Sequence, residues 1–472
     1  MSWLLFSPEL CYLAAATLFL LVSFRAWPNP KREYLLALSL AAAGLLVCVA
    51  GVKLEGALFA GSYRVDLYSQ VFKVMLAAGL FLVICLCTEL NGIRWRRRSE
   101  FYLLLFLCTL SMMMLVSGVH FITIFLALEL SSYSLYILVA LRREPDMGLE
   151  AGMKYFLIGI FASAVTVFGM ALLYAATGVM HIEDLVKVIF GRADNPAVII
   201  GLLLTLCGFF FKLAVFPFHF WAPDVYQGAP NQVATYISTA SKVAAIAVFL
   251  RLMLLAGDGN IYLVRILVTL AIVSMTLGNL AAIAEQDLKR LLAYSTIAHA
   301  GYVLIGVLSM NSAGYAGTVF YAMSLLVMKF SAFLVVVQVA YDGGNLRIEQ
   351  LAGLRRRSPL LAMTLMVAAF SLAGIPPTIG FTGKFLVFTA AMQQGHFTLV
   401  LIAMINVVIS LYYYLLVIRA AYLTEPAEGL PVLPISAPIK SLSIVMVCLM
   451  VALGIYPYPL MELAANAVRA LM

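Results

Sequence analysis

Long apolar segments alternate with short polar or turn-rich segments along the whole chain. The apolar segments are unbroken rather than alternating residue by residue, which favours helices over the strands of a membrane barrel. Most of them approach or exceed the roughly 20 residues that a helix needs to cross a bilayer. The pattern predicts an all-α polytopic membrane protein with about fourteen transmembrane helices, at residues 4–24, 34–52, 68–88, 101–118, 120–141, 150–177, 196–216, 231–255, 260–283, 291–309, 315–341, 359–393, 397–422 and 438–458.

The composition agrees with this pattern and excludes several classes of protein. Of the 472 residues, 64% are hydrophobic and only 11% are charged, whereas a soluble domain has about 25% charged residues. A soluble enzyme, a nucleic-acid binder and a disordered scaffold are therefore disfavoured. The seven cysteines show no C-x-x-C spacing, and the phosphate-binding and dinucleotide-binding glycine motifs are absent. We expect no cofactor and no metal on this chain.

The basic residues predict the orientation in the membrane. The net charge is +8, and most Lys and Arg lie in the loops that follow the odd-numbered spans, notably at residues 96–98 and 355–357. Such an excess marks the cytoplasmic side, so both termini should lie outside. The first positive charge, Arg25, follows the first apolar run rather than preceding it. This segment is therefore predicted to be a first span and not a cleaved signal peptide.

No linker divides the chain, so we predict a single transmembrane domain over residues 1–472. Two short echoes suggest an internal repeat: residues 153–155 resemble 328–330, and residues 213–217 resemble 372–376. They predict two five-helix repeats, spans 4–8 and 9–13. An odd number of helices per repeat would invert one repeat relative to the other, as in many transporters. The predicted parts are three N-terminal helices (1–100), the first repeat (101–256), the second repeat (257–423) and a C-terminal helix (424–472).

Two of the spans should be broken helices. Pro217 closes the seventh span, and the twelfth contains Gly374, Pro376 and Pro377. Proline cannot donate to the helical ladder, so backbone carbonyls near each break should be free. At membrane depth these carbonyls can meet an ion or water.

Six lysines and one glutamate stand out as charges embedded in apolar spans. Lys73 is placed near the outer end of its span, where snorkelling to the interface would explain it. A charge in mid-span costs roughly 2.5–3.5 kcal/mol or more, so the other six should face one another or water. They are Glu129, Lys154, Lys212, Lys242, Lys329 and Lys384.

These buried charges predict a proton relay. Burial and a neighbouring positive charge both favour the neutral form of a lysine, and a nearby carboxylate favours the charged form. Moving a charge near Glu129 and Lys212 would therefore change which group holds the proton. His299 lies in mid-span and could join two lysines, although a purely packed histidine remains open. Asn406, Ser410 and Tyr413 share one helix face and either extend a hydrated path or form interhelical hydrogen bonds.

These residues carry a family resemblance. Residues 212–230, 288–295, 371–376 and 383–385 are similar to the signatures of the antiporter-like membrane subunits of respiratory complex I. The resemblance implies a subunit of NADH-quinone oxidoreductase that pumps protons while other subunits hold NADH, FMN, iron–sulfur clusters and quinone. It implies partners among the other membrane subunits, a hetero-oligomer, and a place in the bacterial inner membrane.

The resemblance also assigns roles to individual residues. Glu129 and Lys212 match the glutamate and lysine of the fifth and seventh helices. Lys242 matches the central lysine and Lys384 the lysine near the exit. Lys154 matches the lysine of the sixth helix, and Lys329 stands at a position that varies.

Three other functions remain open from the sequence. A subunit of a multi-subunit cation/proton antiporter or membrane-bound hydrogenase shares the same charged positions, although residues 223–230 argue against it. A solute carrier would use the charges to bind an organic anion. A mainly structural subunit would carry the charges without pumping.

Overall fold

The computed structural model describes residues 2–24, 29–190, 195–256, 261–425 and 432–472. Within these ranges, twelve helices are long and apolar enough to cross a membrane. The first and twelfth predicted spans coincide with shorter apolar helices, Ser7–Ser23 and Pro359–Ala373. The all-α membrane fold is confirmed, and the count of fourteen spans stays a prediction. Arg25, on which part of the topology prediction rests, lies outside the described residues.

The N-terminal part holds four helices and a small hairpin that the sequence pattern did not predict. The two strands pair in antiparallel register, with Gly56 opposite Val65 and Leu58 opposite Tyr63. Asp66 then caps the following helix, because its Oδ1 accepts a hydrogen bond from the backbone N–H of Ser69 at 2.7 Å. The elements are α1 (Ser2–Leu5), α2 (Ser7–Ser23), α3 (Pro30–Ala50), β1 (Gly56–Leu58), β2 (Tyr63–Val65) and α4 (Leu67–Cys85).

The next elements form the predicted first repeat. A π-helical turn, Ile237–Ser241, joins the last two helices into one continuous span and ends directly before Lys242. The helices are α5 (Arg98–Ser117), α6 (Phe121–Ala140), α7 (Pro145–Thr177), α8 (Ile182–Phe190), α9 (Pro196–Leu213), α10 (Trp221–Gly228), α11 (Asn231–Tyr236) and α12 (Lys242–Met253).

The remaining helices form the predicted second repeat and the C-terminal part. The C-terminal part contains two helices where one was predicted, and the second of them packs against α4 and the long helix that carries Lys329. The helices are α13 (Ile261–Ala284), α14 (Leu288–Leu308), α15 (Ser312–Val339), α16 (Leu354–Arg357), α17 (Pro359–Ala373), α18 (Ile379–Gln393), α19 (Phe397–Tyr422), α20 (Ala437–Ile455) and α21 (Tyr458–Leu471).

The helices pack as a bundle with two distinct ends. We call the end with the β1–β2 hairpin the hairpin end, and the end with Trp95–Arg97 and α16 the basic end. The continuous α11–α12 span, α14 and α15 lie almost wholly inside the bundle, whereas in α3, α7, α19 and α20 most residues are at least partly exposed. Exposed apolar helix faces suit a lipid environment, so the three inner helices are the place for polar chemistry.

Both predicted helix breaks occur, and they share one geometry. Ala214 follows α9 with φ 62°, and Gly374 follows α17 with φ 88°, so both adopt the left-handed conformation. In each case the next residue donates back into the helix: Val215 N–H to Phe210 O at 2.8 Å and Ile375 N–H to Phe370 O at 3.0 Å. This is the Schellman pattern of helix ends. It turns the last carbonyls of each half-helix toward the interior of the bundle.

Candidate functional site

Four lysines and a histidine are buried in the interior of the bundle. Each has at most 5% of its surface exposed. Within the described part of the chain, none of the four lysines has a carboxylate within ion-pair distance. We call this set the central row: Lys212, Lys242, His299, Lys329 and Lys384.

Glu129 and Lys212 lie at one end of the central row but do not form a direct ion pair. The Nζ of Lys212 donates to Ser131 Oγ at 2.6 Å. The half-buried carboxylate of Glu129 accepts a short hydrogen bond from Ser163 Oγ. Glu129 is near enough for its charge to act on Lys212. The two groups are therefore coupled through the electric field, with a serine holding each one.

Lys242 is held by the break in the seventh span. Its Nζ donates to the backbone carbonyl of Lys212 at 2.5 Å and lies 4.7 Å from the ring centroid of Trp221. That carbonyl is free because α9 ends at Leu213. The indole N–H of Trp221 occupies the neighbouring carbonyl, Phe211 O, at 3.0 Å. The freed carbonyl and the aromatic face both attract a cation.

A small cavity separates Lys242 from the second half of the central row. Its volume is about 20 Å³, and its polar lining includes Ser238, Lys242, Thr296, His299 and Lys329. A water molecule needs roughly 10–15 Å³ by the same measure, together with two to four polar partners. The cavity can therefore hold one water molecule between three members of the central row.

His299 and Lys329 belong to one hydrogen-bonded network. The Nζ of Lys329 donates to Leu292 O at 2.9 Å and to Ser295 Oγ at 2.7 Å. Ser295 Oγ is 2.5 Å from the hydroxyl of Tyr414, and that hydroxyl is 3.5 Å from His299 Nε2. The other ring nitrogen, Nδ1, is 2.6 Å from the Tyr321 hydroxyl. Both ring nitrogens of His299 thus face hydroxyl groups that can pass a proton on.

Lys384 lies against the break in the twelfth span. Its Nζ donates to Leu372 O at 2.9 Å and to Ala373 O at 2.8 Å, the last carbonyls of α17. It also lies 4.8 Å from the ring centroid of Tyr302. Lys384 and Lys242 are therefore bound alike, each by carbonyls at a helix break and by one aromatic face.

Lys154 does not join the central row. Its side chain is 44% exposed and pairs with Glu150 at 2.8 Å and Asp224 at 2.7 Å. Asp224 in turn accepts from Arg290 at 2.7 Å, so it links α7 and α14 at the basic end. Burial raises the pKa of the Asp224 carboxyl, but the hydrogen bonds from Lys154 and Arg290 outweigh burial and leave its pKa below the ordinary value.

The polar face of α19 is engaged in interhelical contacts. The amide of Asn406 accepts from Asn279 Nδ2 at 3.1 Å, and the Tyr413 hydroxyl donates to Asn279 Oδ1 at 3.0 Å. Ser410 donates within its own helix to Val407 O. Of the two readings of this face, the contacts favour interhelical hydrogen bonds. Asn279 on α13 is their common partner, and the sequence pattern did not single it out.

The prediction for Lys73 was wrong. Lys73 does not snorkel to an interface but is fully buried, with its Nζ 2.8 Å from a carboxylate oxygen of Glu9. Sequence reasoning missed Glu9, although a carboxylate inside the first apolar span was a visible signal. It also missed Ser131, Tyr321 and Tyr414, because hydroxyl residues on apolar helices are too common to single out.

Residues 118–410 match the family described as NADH:quinone oxidoreductase/Mrp antiporter, TM. A curated relative, NADH-quinone oxidoreductase subunit N 2 of Syntrophobacter fumaroxidans, is 66% identical over the whole of both chains. A chain of respiratory complex I from Thermus thermophilus, solved with bound aureothin, is 33% identical with a TM-score of 0.84, over 97% of this chain and 99% of that one.

One further solved structure shows the same fold. A chain of the Mrp complex from Dietzia sp. DQ12-45-1b superposes with a TM-score of 0.88, covering 100% of this chain and 98% of its own. Its sequence identity is 21%, so the likeness concerns the fold alone.

Proposed function

The chain belongs to the NADH:quinone oxidoreductase/Mrp antiporter family of membrane subunits, and we propose that its central row carries protons through the membrane. It is a multi-pass, proton-translocating membrane subunit of an NADH-quinone oxidoreductase and works in a hetero-oligomer with other membrane subunits. The proposal concerns which residues carry the protons.

The observation that carries the proposal is the cavity between Lys242, His299 and Lys329. It lies where the predicted first and second repeats meet. One water molecule there would complete a series of proton-binding groups from Lys212 to Lys329. Without such a link, each half of the bundle would hold its lysines in isolation.

Proton movement follows from the repulsion between neighbouring lysines. Adjacent ammonium groups in a low-dielectric interior disfavour one another, so the central row holds few protons at a time. A change of charge near Glu129 would release the proton of Lys212 to Lys242. The proton would then pass through the cavity to His299 and Lys329. Lys384 would exchange it with one of the two aqueous phases.

Three further features belong to the same proposal. FMN, the iron–sulfur clusters, NADH and quinone would bind to other subunits of the assembly. The membrane would be the bacterial inner membrane, with the basic end in the cytoplasm and both termini outside. Lys154 would act through Asp224 at the basic end. Its place in the relay is inferred from the resemblance alone.

The test uses the assembled complex in membrane vesicles. Glu129→Ala and Lys212→Ala should each reduce proton pumping and coupled quinone reductase activity. Electron transfer from NADH to an artificial acceptor should be unchanged, because it does not need this subunit. Lys187→Ala, which removes an exposed lysine of α8, is the matched control and should leave both activities unchanged. Full coupled activity in an assembled Lys212→Ala complex would overturn the proposal.

A further inference from the structure

A second set of buried charges lies outside the central row, in the N-terminal helices. Glu9 on α2 and Lys73 on α4 are both fully buried, with Nζ and Oε1 2.8 Å apart. We propose that Glu9 and Lys73 form a further proton-exchange pair, which takes up and releases a proton in step with the central row. This inference rests on the proposed function, because it assigns another site to the same proton transport.

The surroundings of the pair leave one carboxylate oxygen free. The Tyr63 hydroxyl donates to Glu9 Oε1 at 2.5 Å, and Lys73 faces the same oxygen. Glu9 Oε2 is buried and has no hydrogen-bond partner within the described residues. A proton can therefore attach to Oε2 without displacing the contacts of Oε1. The other titratable groups around the pair are Cys48, next to both residues, and beyond it Cys11 and Tyr12.

On α4, Lys73 is level with the central row, whereas Glu9 lies toward the hairpin end, in the first turn of α2. On the hairpin side of Lys73, the Tyr68 hydroxyl donates to Ala247 O at 2.7 Å. On its other side, a Cβ at Gly79 would lie 3.1 Å from the Cβ of Ala240. Lys73 stands between these two contacts on α4, so it is level with the turn of α12 that follows Lys242.

The energetics favour proton exchange over a purely structural tie. A buried ion pair seldom stabilises a protein more than an apolar pair of the same volume would. Transfer of the proton from the Lys73 ammonium to the Glu9 carboxylate leaves a neutral amine and a neutral acid, which suit a low-dielectric interior better. A positive charge arriving in the central row would favour release of a proton from the pair to the aqueous phase at the hairpin end, and loss of that charge would favour uptake of a proton from the same phase.

Polar side chains lie between the pair and Lys212. The hydroxyl of Tyr236 is 2.6 Å from Thr109 Oγ1. Tyr12 lies one helical turn from Glu9, and its buried hydroxyl has no hydrogen-bond partner within the described residues. The residue before Thr109 is Cys108, whose Sγ donates to the backbone carbonyl of Ser131 at 3.4 Å. Ser131 is the residue that holds Lys212, so isolated polar groups lie between the two sites, without a continuous chain of hydrogen bonds among the described residues.

The test compares single and double variants of the pair in the assembled complex. Glu9→Gln or Lys73→Met alone leaves one buried charge unpaired and is expected to impair assembly. The double variant leaves no unpaired charge, so we expect it to assemble. It should pump several-fold fewer protons per NADH oxidised. Arg97→Gln, which removes an exposed ion pair with Glu100, should pump as the unmodified complex does.

The outcomes are distinct. A double variant that pumps the full number of protons per NADH shows a structural tie and overturns the inference. If the double variant does not assemble, Tyr63→Phe is measured instead. This substitution removes only the hydroxyl that donates to Glu9 Oε1. Unchanged pumping by Tyr63→Phe counts against the inference. Lys242→Met separates the two proposals. If Lys242→Met loses pumping and the double variant keeps it, only the present inference fails. If both variants keep it, the central row fails as well.

Discussion

Gly374 is the position at which a single methyl group should disturb the central row. Its φ of 88° is one that L-residues rarely adopt. A Cβ built there would lie 3.0 Å from Cδ of Lys384 and 3.3 Å from its Nζ. Gly374→Ala must therefore push the lysine side chain away from the break by a few tenths of an ångström or more.

The size of the effect follows from two contributions. The left-handed conformation costs an alanine about 1–2 kcal/mol. The displaced Nζ would also weaken its hydrogen bonds to Leu372 O and Ala373 O, now 2.9 and 2.8 Å long. A hydrogen bond to a charged group contributes about 1.5–3 kcal/mol. Loss of even one of these hydrogen bonds would change the ratio between the bound and the displaced Nζ of Lys384 by about tenfold or more.

Gly395 provides the matched control. Its φ of 82° is nearly the same, but a Cβ there would meet nothing within 4 Å. Gly395→Ala carries the same backbone cost and leaves Lys384 untouched. We expect coupled quinone reductase activity and proton pumping to fall clearly in Gly374→Ala and to stay near the unmodified level in Gly395→Ala, at equal amounts of assembled complex. Equal activities in the two variants would refute the reasoning.

Two further predictions concern the ion pairs of Asp224 and one hydroxyl beside His299. Asp224→Asn should lower the free energy of unfolding at pH 7, and with it the melting temperature of the complex, by no more than about 1 kcal/mol of free energy, because the ion pairs with Lys154 and Arg290 are partly exposed. Since the pKa of Asp224 is lowered in the fold, its stabilising effect is complete above an unfolded pKa of about 3.9. The difference between the proteins should shrink as the pH falls below that value, and a constant difference would contradict the assignment. Tyr321→Phe removes the hydroxyl 2.6 Å from His299 Nδ1 and should slow coupled proton pumping without affecting assembly; pumping at the unmodified rate would exclude a role for this hydroxyl.

The sequence was most informative where local chemistry determines structure. Pro217 and Gly374 marked the two helix breaks, because proline cannot donate to a helix and glycine readily adopts positive φ. The buried lysines were visible as charges within apolar runs. For Lys212, Lys242 and Lys384, the structure places these charges inside the bundle and close to the breaks.

Tertiary packing determined what the sequence could not reveal. Helical periodicity gives the face on which a residue lies but not the helix that it meets, so the partner of Lys73 stayed hidden. Lys154 and Lys212 look alike in the sequence, yet one is 44% exposed and ion-paired while the other is buried against Ser131. The cavity beside His299 is lined by residues of four helices that span more than a hundred positions of the chain, from Leu213 on α9 to Lys329 on α15.

The lysines of this protein are held largely by main-chain carbonyls. Lys242, Lys329 and Lys384 each donate to at least one backbone oxygen. An alanine scan deletes side chains but leaves those oxygens in place. It would therefore detect only the lysines that donate these hydrogen bonds and not the carbonyls that accept them. The position of each acceptor depends on the backbone conformation, so the side chain of that residue can be replaced while the carbonyl oxygen remains. Replacing single amides by esters, which weakens a carbonyl acceptor without altering a side chain, would expose them.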